Sequence, residues 1–493
     1  MKNNDLFRKT IPELQNLVKE RKVSYEEILQ ENIKVISTQE EKVNAYITLT
    51  TKKAIEERKK LSPDGFNGHN YLYGIPLSVK DTFTTKGITT TAGSKMLEDF
   101  IPPYNATSYQ RLIDEGAVML GKTNMDEFAH GFTTEYSAFK ITHNPWNLNN
   151  VPGGSSGGSA ASIAAGEARL SLASENFGSI IQPSSICGIV GMKPTYGAAS
   201  RYGIIAMASS LECPGIMGKC VEDVAIGIDA IIGLDPLDAT TFSYSAKNFF
   251  PGLSTSLKGK KIAVIRPIME NLDKEMVKTI ENALKTLVKA GAEVNDINWY
   301  DLGLDSKIYD VLYRSEVASN LARYDGIRYG YRSLAKEESL NDYYLSTRDK
   351  FGPHVKRQII TDPILLSSDG DDVYRTVLKL RRRNQQYIDL LFKKYSAIIS
   401  AASTFTDLKI GEVAKPEWRE KNRRLGKING AMMCPSVLYG YPAISFPIGF
   451  SKSNMPIGVN VFGFRCQEQE LLNLAYSFQE ESDLKCLRPE LLS

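Results

Sequence analysis

At 493 residues, with 42% apolar and 24% charged side chains, the chain has the balance of a soluble globular protein and room for two or three domains or one large one. A net charge of +3, from 60 basic and 57 acidic residues, gives no electrostatic case for a dedicated nucleic-acid binder. The opening MKNNDLFRKTIPEL lacks a signal peptide's apolar core and no run approaches 18 apolar residues, so the expected location is the cytoplasm, with no membrane contact.

Six cysteines form no CxxC pair, and with only four histidines they give no zinc spacing; free thiols and no metal are expected. From Ile11 to Ile36 apolar residues recur at helical spacing, and Ser24 with Glu27 has the pattern of a capping box between two helices. Ala45 to Leu49 alternates like a strand, Ala54 to Leu61 resumes a helix, and Tyr73 to Asp81 reads as an apolar strand with Lys80 near its end. Gly116 to Thr123 fits the phosphate-loop pattern GxxxxGK[ST]. Its middle residues, Ala117, Val118, Met119 and Leu120, read as a strand rather than a loop, which argues against nucleotide binding.

Helical and strand segments alternate from Ser108 to Ile232, the pattern of an α/β sheet covered by helices. Lys261 to Ile265, a helix over Glu275 to Ala290, and Ala292 to Val294 make a further β-α-β unit. Residues from about 305 to 395 read as mostly helical, and the basic run Lys379 to Arg383 within them as a solvated helix face. Strands over Ala443–Phe446 and Gly458–Phe462 and a helix from Gln467 to Glu480 close the chain.

The stretch from Gly153 to Ser159 holds four glycines and three serines directly between apolar segments, which suits a close backbone approach to a ligand better than a linker. Gly154 to Gly158 also matches GxSxG, but that nucleophile elbow needs a later histidine, and only His354 follows Ser156. A serine is also activated by a lysine held neutral by burial, and Lys80 at its strand end is the natural candidate.

Gly74-Ile-Pro-Leu-Ser-Val-Lys-Asp81, Gly153 to Ala160, and Gly178-Ser-Ile180 with Gln182-Pro183 together resemble the amidase signature family. The spacing agrees: 75 residues separate Lys80 from Ser155, and 24 separate Ser155 from Ser179. Gly121 to Ala129, Val190 to Gly197 and Ala318 to Arg332 extend the resemblance over nearly the whole chain, which is most similar to the A-subunit branch of the glutamyl-tRNA(Gln) amidotransferases. The resemblance implies an α/β amidase-signature fold, with a central mixed sheet covered by helices on both faces. It implies one large domain over 1–493: a helical segment (1–65), a signature core (66–235), a second β-α-β part (236–304), a mostly helical insertion (305–395) and a return to the core sheet (396–493).

The resemblance further implies that Ser179 is the nucleophile, Ser155 the relay serine behind a cis peptide, and Lys80 the base. Backbone N–H groups of Asn176, Phe177 and Gly178 would form the oxyanion hole. No cofactor is implied. The implied partners are B and C subunits and a small amide substrate, with tRNA reached only through those subunits.

The chain departs from the family at the nucleophile, where Glu175-Asn-Phe-Gly-Ser-Ile-Ile181 stands for Asp-Thr-Gly-Gly-Ser-Ile-Arg. Phe177 in place of glycine is expected to distort or block the turn if a glycine-only conformation or a close substrate approach is needed there. The substrate-binding arginine and aspartate of this branch align with Gln358 and Gly430, removing both charges. Three readings stay open: an A-type chain releasing ammonia for transamidation, an amidase acting on a different amide, and a catalytically impaired scaffold.

Overall fold

The apolar runs punctuated by glycine, proline and asparagine become strands, most of them buried along their whole length. The computed structural model describes residues 6–245, 248–333, 339–366 and 370–489. Its strands are β1 (Tyr46–Leu49), β2 (Pro76–Lys80), β3 (Val118–Thr123), β4 (Leu170–Glu175), β5 (Val190–Lys193), β6 (Cys213–Gly218), β7 (Lys261–Ile265), β8 (Glu293–Ile297), β9 (Ala397–Ala401), β10 (Ala443–Phe450) and β11 (Pro456–Gly463). Among the described residues they form one sheet in the order β1-β3-β2-β4-β6-β5-β10-β11-β9-β7-β8. It is mixed: β2 runs parallel to β3 and β4, β7 runs parallel to β8 and β9, and the other pairs are antiparallel.

Alternating residues of the same strands enter different cores, which is the signature of a sheet covered on both faces. Val118 and Leu120 of β3, Ala173 of β4 and Met217 of β6 pack with the small-residue helix Gly157–Ala165. Met119, Leu172 and Ile216, their neighbours, pack with Val224 and Ile228 of the helix Val221–Ile231. The expected fold is therefore the observed one. The helix Gly157–Ala165 is buried over all nine residues, and a Cβ at Gly158 would stand 2.4 Å from the Asn124 carbonyl oxygen, so glycine alone fits.

Local expectations hold where side chains act on their own backbone. Ser24 Oγ accepts from the Glu27 N–H at 3.1 Å while Glu27 Oε2 accepts from the Ser24 N–H at 2.7 Å, closing the capping box. Val118–Thr123 is strand β3 itself, which removes the phosphate-loop reading. The 305–395 region contains the helices Leu304–Leu321, Leu340–Arg348, Pro353–Thr361 and Gly370–Leu391; residues 334–338 and 367–369 of that expectation lie outside the described residues. Among the described residues no helix is long and apolar enough to cross a membrane.

Candidate active site

Strands β2 and β4 are parallel neighbours, with Ser78 opposite Ser171 and Val79 opposite Leu172, so their C-terminal ends open side by side. Ligand sites in open sheets collect at such ends. Here β2 delivers Lys80, β4 delivers Ser174 and Glu175, and the turn after β4 carries Ser179. The Gly/Ser stretch enters from the side: the Gly154–Ser155 peptide is cis, and Ser155 leads into the helix Gly157–Ala165.

These three residues meet. Lys80 Nζ donates to Ser155 Oγ at 2.9 Å and to Ser174 Oγ at 3.1 Å, with the Ser174 carbonyl at 3.4 Å. Ser155 Oγ donates to Ser179 Oγ at 3.0 Å, and the Ser155 N–H donates to the same oxygen at 3.1 Å. Lys80 and Ser155 are wholly buried, whereas Ser179 keeps 4% exposure and lines a cavity of about 270 Å³. The chain of hydrogen bonds thus has one end in the core and the other at a space where a ligand fits.

Burial pushes the Lys80 amine down to about 8, against the pull of Glu212, Glu175 and Asp126. Its three hydrogen-bond partners are uncharged oxygens, so nothing in direct contact holds it as an ammonium. Burial also pushes the carboxyls up: Asp126 to about 6, despite N–H bonds from Thr134 (3.0 Å) and Tyr136 (3.1 Å), and Glu212 to about 7, with Lys80 opposing. Glu175 is likewise raised by burial, while accepting backbone N–H groups from Gly178, Ile180 (2.5 Å) and Ile181 (3.3 Å).

That last contact corrects one expectation. The Gly178 N–H, expected in an oxyanion hole, is held by the Glu175 carboxylate. Phe177 bears on the backbone half of a second. The positive φ of the turn (+87°) belongs to Gly178, and Phe177 is not among the residues with positive φ, so its side chain does not distort the turn. Its ring instead lines the cavity, 4.6 Å from the ring of Tyr309. Ile181 is buried in the main core, with no arginine-like role open to it.

The expected substrate-binding pair divides. Gln358 Nε2 donates to the Tyr313 hydroxyl at 3.4 Å and so stands behind the cavity wall rather than on it. Gly430 faces the helix Leu304–Leu321: a Cβ there would meet Ser306 Oγ at 2.0 Å. The residue that lines the cavity is its neighbour Asn429, so Gly430 is withdrawn as a binding position.

Sequence reading missed most of the wall. Tyr309 and Tyr313, one turn apart on the helix Leu304–Leu321, stack at 5.3 Å, and the Tyr309 hydroxyl donates to Asn176 Oδ1 at 2.7 Å. Phe405 arrives from beyond the end of β9, and Phe132 from the loop preceding the Gly/Ser stretch. The i, i+4 tyrosine pair was the one available signal. Among the described residues, no group of three or more His, Cys, Asp or Glu is placed to hold a metal ion.

This fold and its lysine–serine–serine cluster define the class. The chain belongs to the amidase family, whose sequence profile matches residues 27–472, and it is an enzyme of that type. It is 41% identical over 491 residues to the A subunit of the Halothermothrix orenii glutamyl-tRNA(Gln) amidotransferase, covering 99% of this chain and 100% of that one. It is 40% identical, with the same coverage, to the A subunit of the Bacillus velezensis enzyme. Among solved structures it resembles the A subunit of the glutamyl-tRNA(Gln) amidotransferase from Thermotoga maritima (TM-score 0.80, 32% identity, 100% and 99% of the two chains). It also resembles 6-aminohexanoate cyclic dimer hydrolase complexed with substrate (TM-score 0.83, 25% identity, 99% and 100%).

Proposed function

We propose that the chain is the amide-hydrolysing A-type component of a tRNA-dependent amidotransferase, working as one domain around Lys80, Ser155 and Ser179. The observation that carries this reading is the unbroken hydrogen-bond path from a buried, pKa-lowered amine to a hydroxyl that alone touches the cavity. Neutral Lys80 takes the Ser155 proton as Ser155 takes that of Ser179, and Ser179 Oγ adds to the carboxamide carbon. Collapse of the tetrahedral intermediate breaks the C–N bond, with the proton returned through Ser155 to the departing ammonia, and water later cleaves the acyl ester by the same relay.

Negative charge on the carbonyl oxygen is met by backbone N–H groups of Asn176 and Phe177; one such donor is typically worth about 3 kcal/mol. Nearly full-length similarity to chains named as A subunits supports partner chains, proposed to be of B and C type, that receive the ammonia and hold the tRNA in the cytoplasm. The test is ammonia release from primary amides by the chain alone and with co-purified partners. Wild-type protein that releases ammonia from no amide in either form, or a Ser179→Ala variant as active as wild type, would refute it.

A further inference from the structure

Two of the six cysteines meet, although 266 residues separate them. Cys220 is the N-cap of the helix Val221–Ile231, just after β6, and its side chain caps none of that helix's backbone N–H groups. It is instead in hydrogen-bond contact with the thiol of Cys486, which comes from the segment after the last helix, Glu468–Glu480. Cys486 takes a φ of +50°, a left-handed conformation that a non-glycine residue keeps only where its surroundings hold it. Sulfur atoms already in hydrogen-bond contact need only a small approach to become bonded.

The two thiols differ in access. Cys220 is fully buried, and burial holds its thiol well above the usual range. Cys486 keeps 6% exposure and lines a space of about 640 Å³ together with Arg8, Trp146, Phe450, Lys485 and Arg488. A molecule as small as a hydroperoxide therefore reaches Cys486 but not Cys220.

The groups around the pair suit an exchange between them. The Asp223 carboxyl accepts a hydrogen bond from the Cys220 thiol and another from the Ile11 N–H at 2.7 Å. Burial pushes that carboxyl up to about 7, so near neutral pH it is both partly ionised and basic enough to take a thiol proton. The buried Arg169 guanidinium lies close enough to act on Cys486, and a cation beside a thiol stabilises the sulfur as its proton leaves.

We propose that Cys486 and Cys220 form a reversible oxidation site, in which Cys486 meets a hydroperoxide and Cys220 resolves the product into a disulfide. With hydrogen peroxide, the Cys486 sulfur attacks one oxygen and the O–O bond breaks, leaving a sulfenic acid and one water. The Cys220 sulfur then displaces the hydroxyl from Cys486. Its proton passes to Asp223 and on to the departing hydroxide, so the S–S bond forms and a second water leaves. The two thiols give up two electrons in all, and the peroxide takes them. Exchange with a small thiol reverses the bond. The disulfide ties the C-terminal segment to the helix Val221–Ile231, which already holds the N-terminal helix through Asp223 and the last helix through Gln479. No described residue lines both this space and the one above Ser179, so the thiol pair is a site separate from the amide-hydrolysing one.

The test uses the full chain carrying Cys466→Ser, which removes the exposed thiol and leaves five. The folded protein is treated with a slight excess of hydrogen peroxide, quenched with an alkylating agent and digested. Expected is the loss of two of the five thiols, a peptide pair linked through Cys220 and Cys486 that is about 2 Da lighter than the reduced peptides together, and recovery of both thiols with dithiothreitol. Cys220→Ala should leave Cys486 without its partner, so that oxidation there runs on to the sulfinic acid, about 32 Da heavier. Asp223→Asn should slow closure of the disulfide at least about tenfold, with the sulfenic acid at Cys486 captured by dimedone. Peroxide that leaves all five thiols alkylatable overturns the pair, as does a link from either residue to another cysteine, or sulfinic acid at Cys486 while Cys220 stays free. Closure as fast in Asp223→Asn as in its parent overturns the carboxylate's part and leaves the pair standing.

Discussion

The burial of Lys80 makes the pH dependence of the reaction calculable. An exposed lysine titrates near 10.5, and here the amine is pushed down to about 8. Each unit is a factor of ten in the ratio of neutral to charged amine, so burial enriches the neutral base about 300-fold at pH 7. Roughly a tenth of the molecules are then competent at pH 7 and half at pH 8. With an uncharged amide that does not itself titrate, kcat/KM should rise about fivefold from pH 7 to pH 8 and level off above about pH 9. Ammonia release between pH 6 and pH 10 reads this directly. Lys80→Arg, which keeps a charge but cannot deprotonate, should lose activity about a thousandfold or more at every pH. Glu212→Gln should move the rising limb toward lower pH, because the Glu212 carboxylate is the largest influence holding the Lys80 amine up. A profile flat from pH 7 to pH 9, or a Lys80→Arg variant with a tenth of wild-type activity, refutes the lysine as base.

Further tests address the parts separately. Ser179→Ala should abolish amide hydrolysis and leave the thermal midpoint within a few degrees of wild type, since it removes one hydroxyl at the cavity edge; residual turnover above about a thousandth of wild type would place the nucleophile elsewhere. Phe177→Ala, at a half-buried ring against Tyr309, should lower kcat/KM for benzamide roughly tenfold and leave acetamide nearly unchanged, with a stability loss of about 1–2 kcal/mol by denaturant melts. Asp81→Asn should cost about 3–5 kcal/mol in the same melts, because Lys122 lies 3.1 Å from Asp81 with both side chains fully buried, and its amine, already pushed down by burial, would lose the carboxylate that favours its charged form. A loss below 1 kcal/mol would show that the Phe83 carbonyl and Thr90 hydroxyl, each 2.8 Å from Lys122 Nζ, suffice to hold the amine.

What was legible in the sequence follows how local each cause is. The capping box at Ser24 and Glu27 and the strands β3, β7 and β11 rest on neighbouring residues and periodicity, and they appear where expected. Lys80, Ser155 and Ser179 are recognisable as a group because long motifs surround each of them and a strand-end lysine has few structural uses. The turn at Phe177 differs from expectation because a sequence shows that one glycine of a pair is gone, not which of the two carries the positive φ; that one, Gly178, is kept. Gly430 is off by one residue, since rotation about a helix axis decides whether 429 or 430 faces the cavity, and the charged stretch before it gives no apolar phase to fix that rotation. The aromatic wall is unreadable for a different reason: Phe132, Phe177, Tyr309 and Phe405 come from four distant segments, and only the folded sheet sets them around one space.

The separation of charge into layers has a kinetic consequence. Beneath Ser179 an amine and three carboxyls are buried together, and in so poorly solvated a place any added charge shifts all of them. Above Ser179, among the described residues, the wall carries no acidic side chain, lysine or arginine. A carboxylate entering the cavity would stabilise the Lys80 ammonium and push the amine back toward its ordinary value, making the enzyme a poorer base once substrate was bound; an ammonium would do the reverse. An uncharged amide does neither. The rising limb should therefore fall at the same pH in kcat, which reports the complex, and in kcat/KM, which reports the free enzyme. A limb displaced by a unit or more between the two with benzamide would mean that a charge moves into or out of the site on binding. The described wall would then not insulate the lysine, and the layered reading of the site would fail with it.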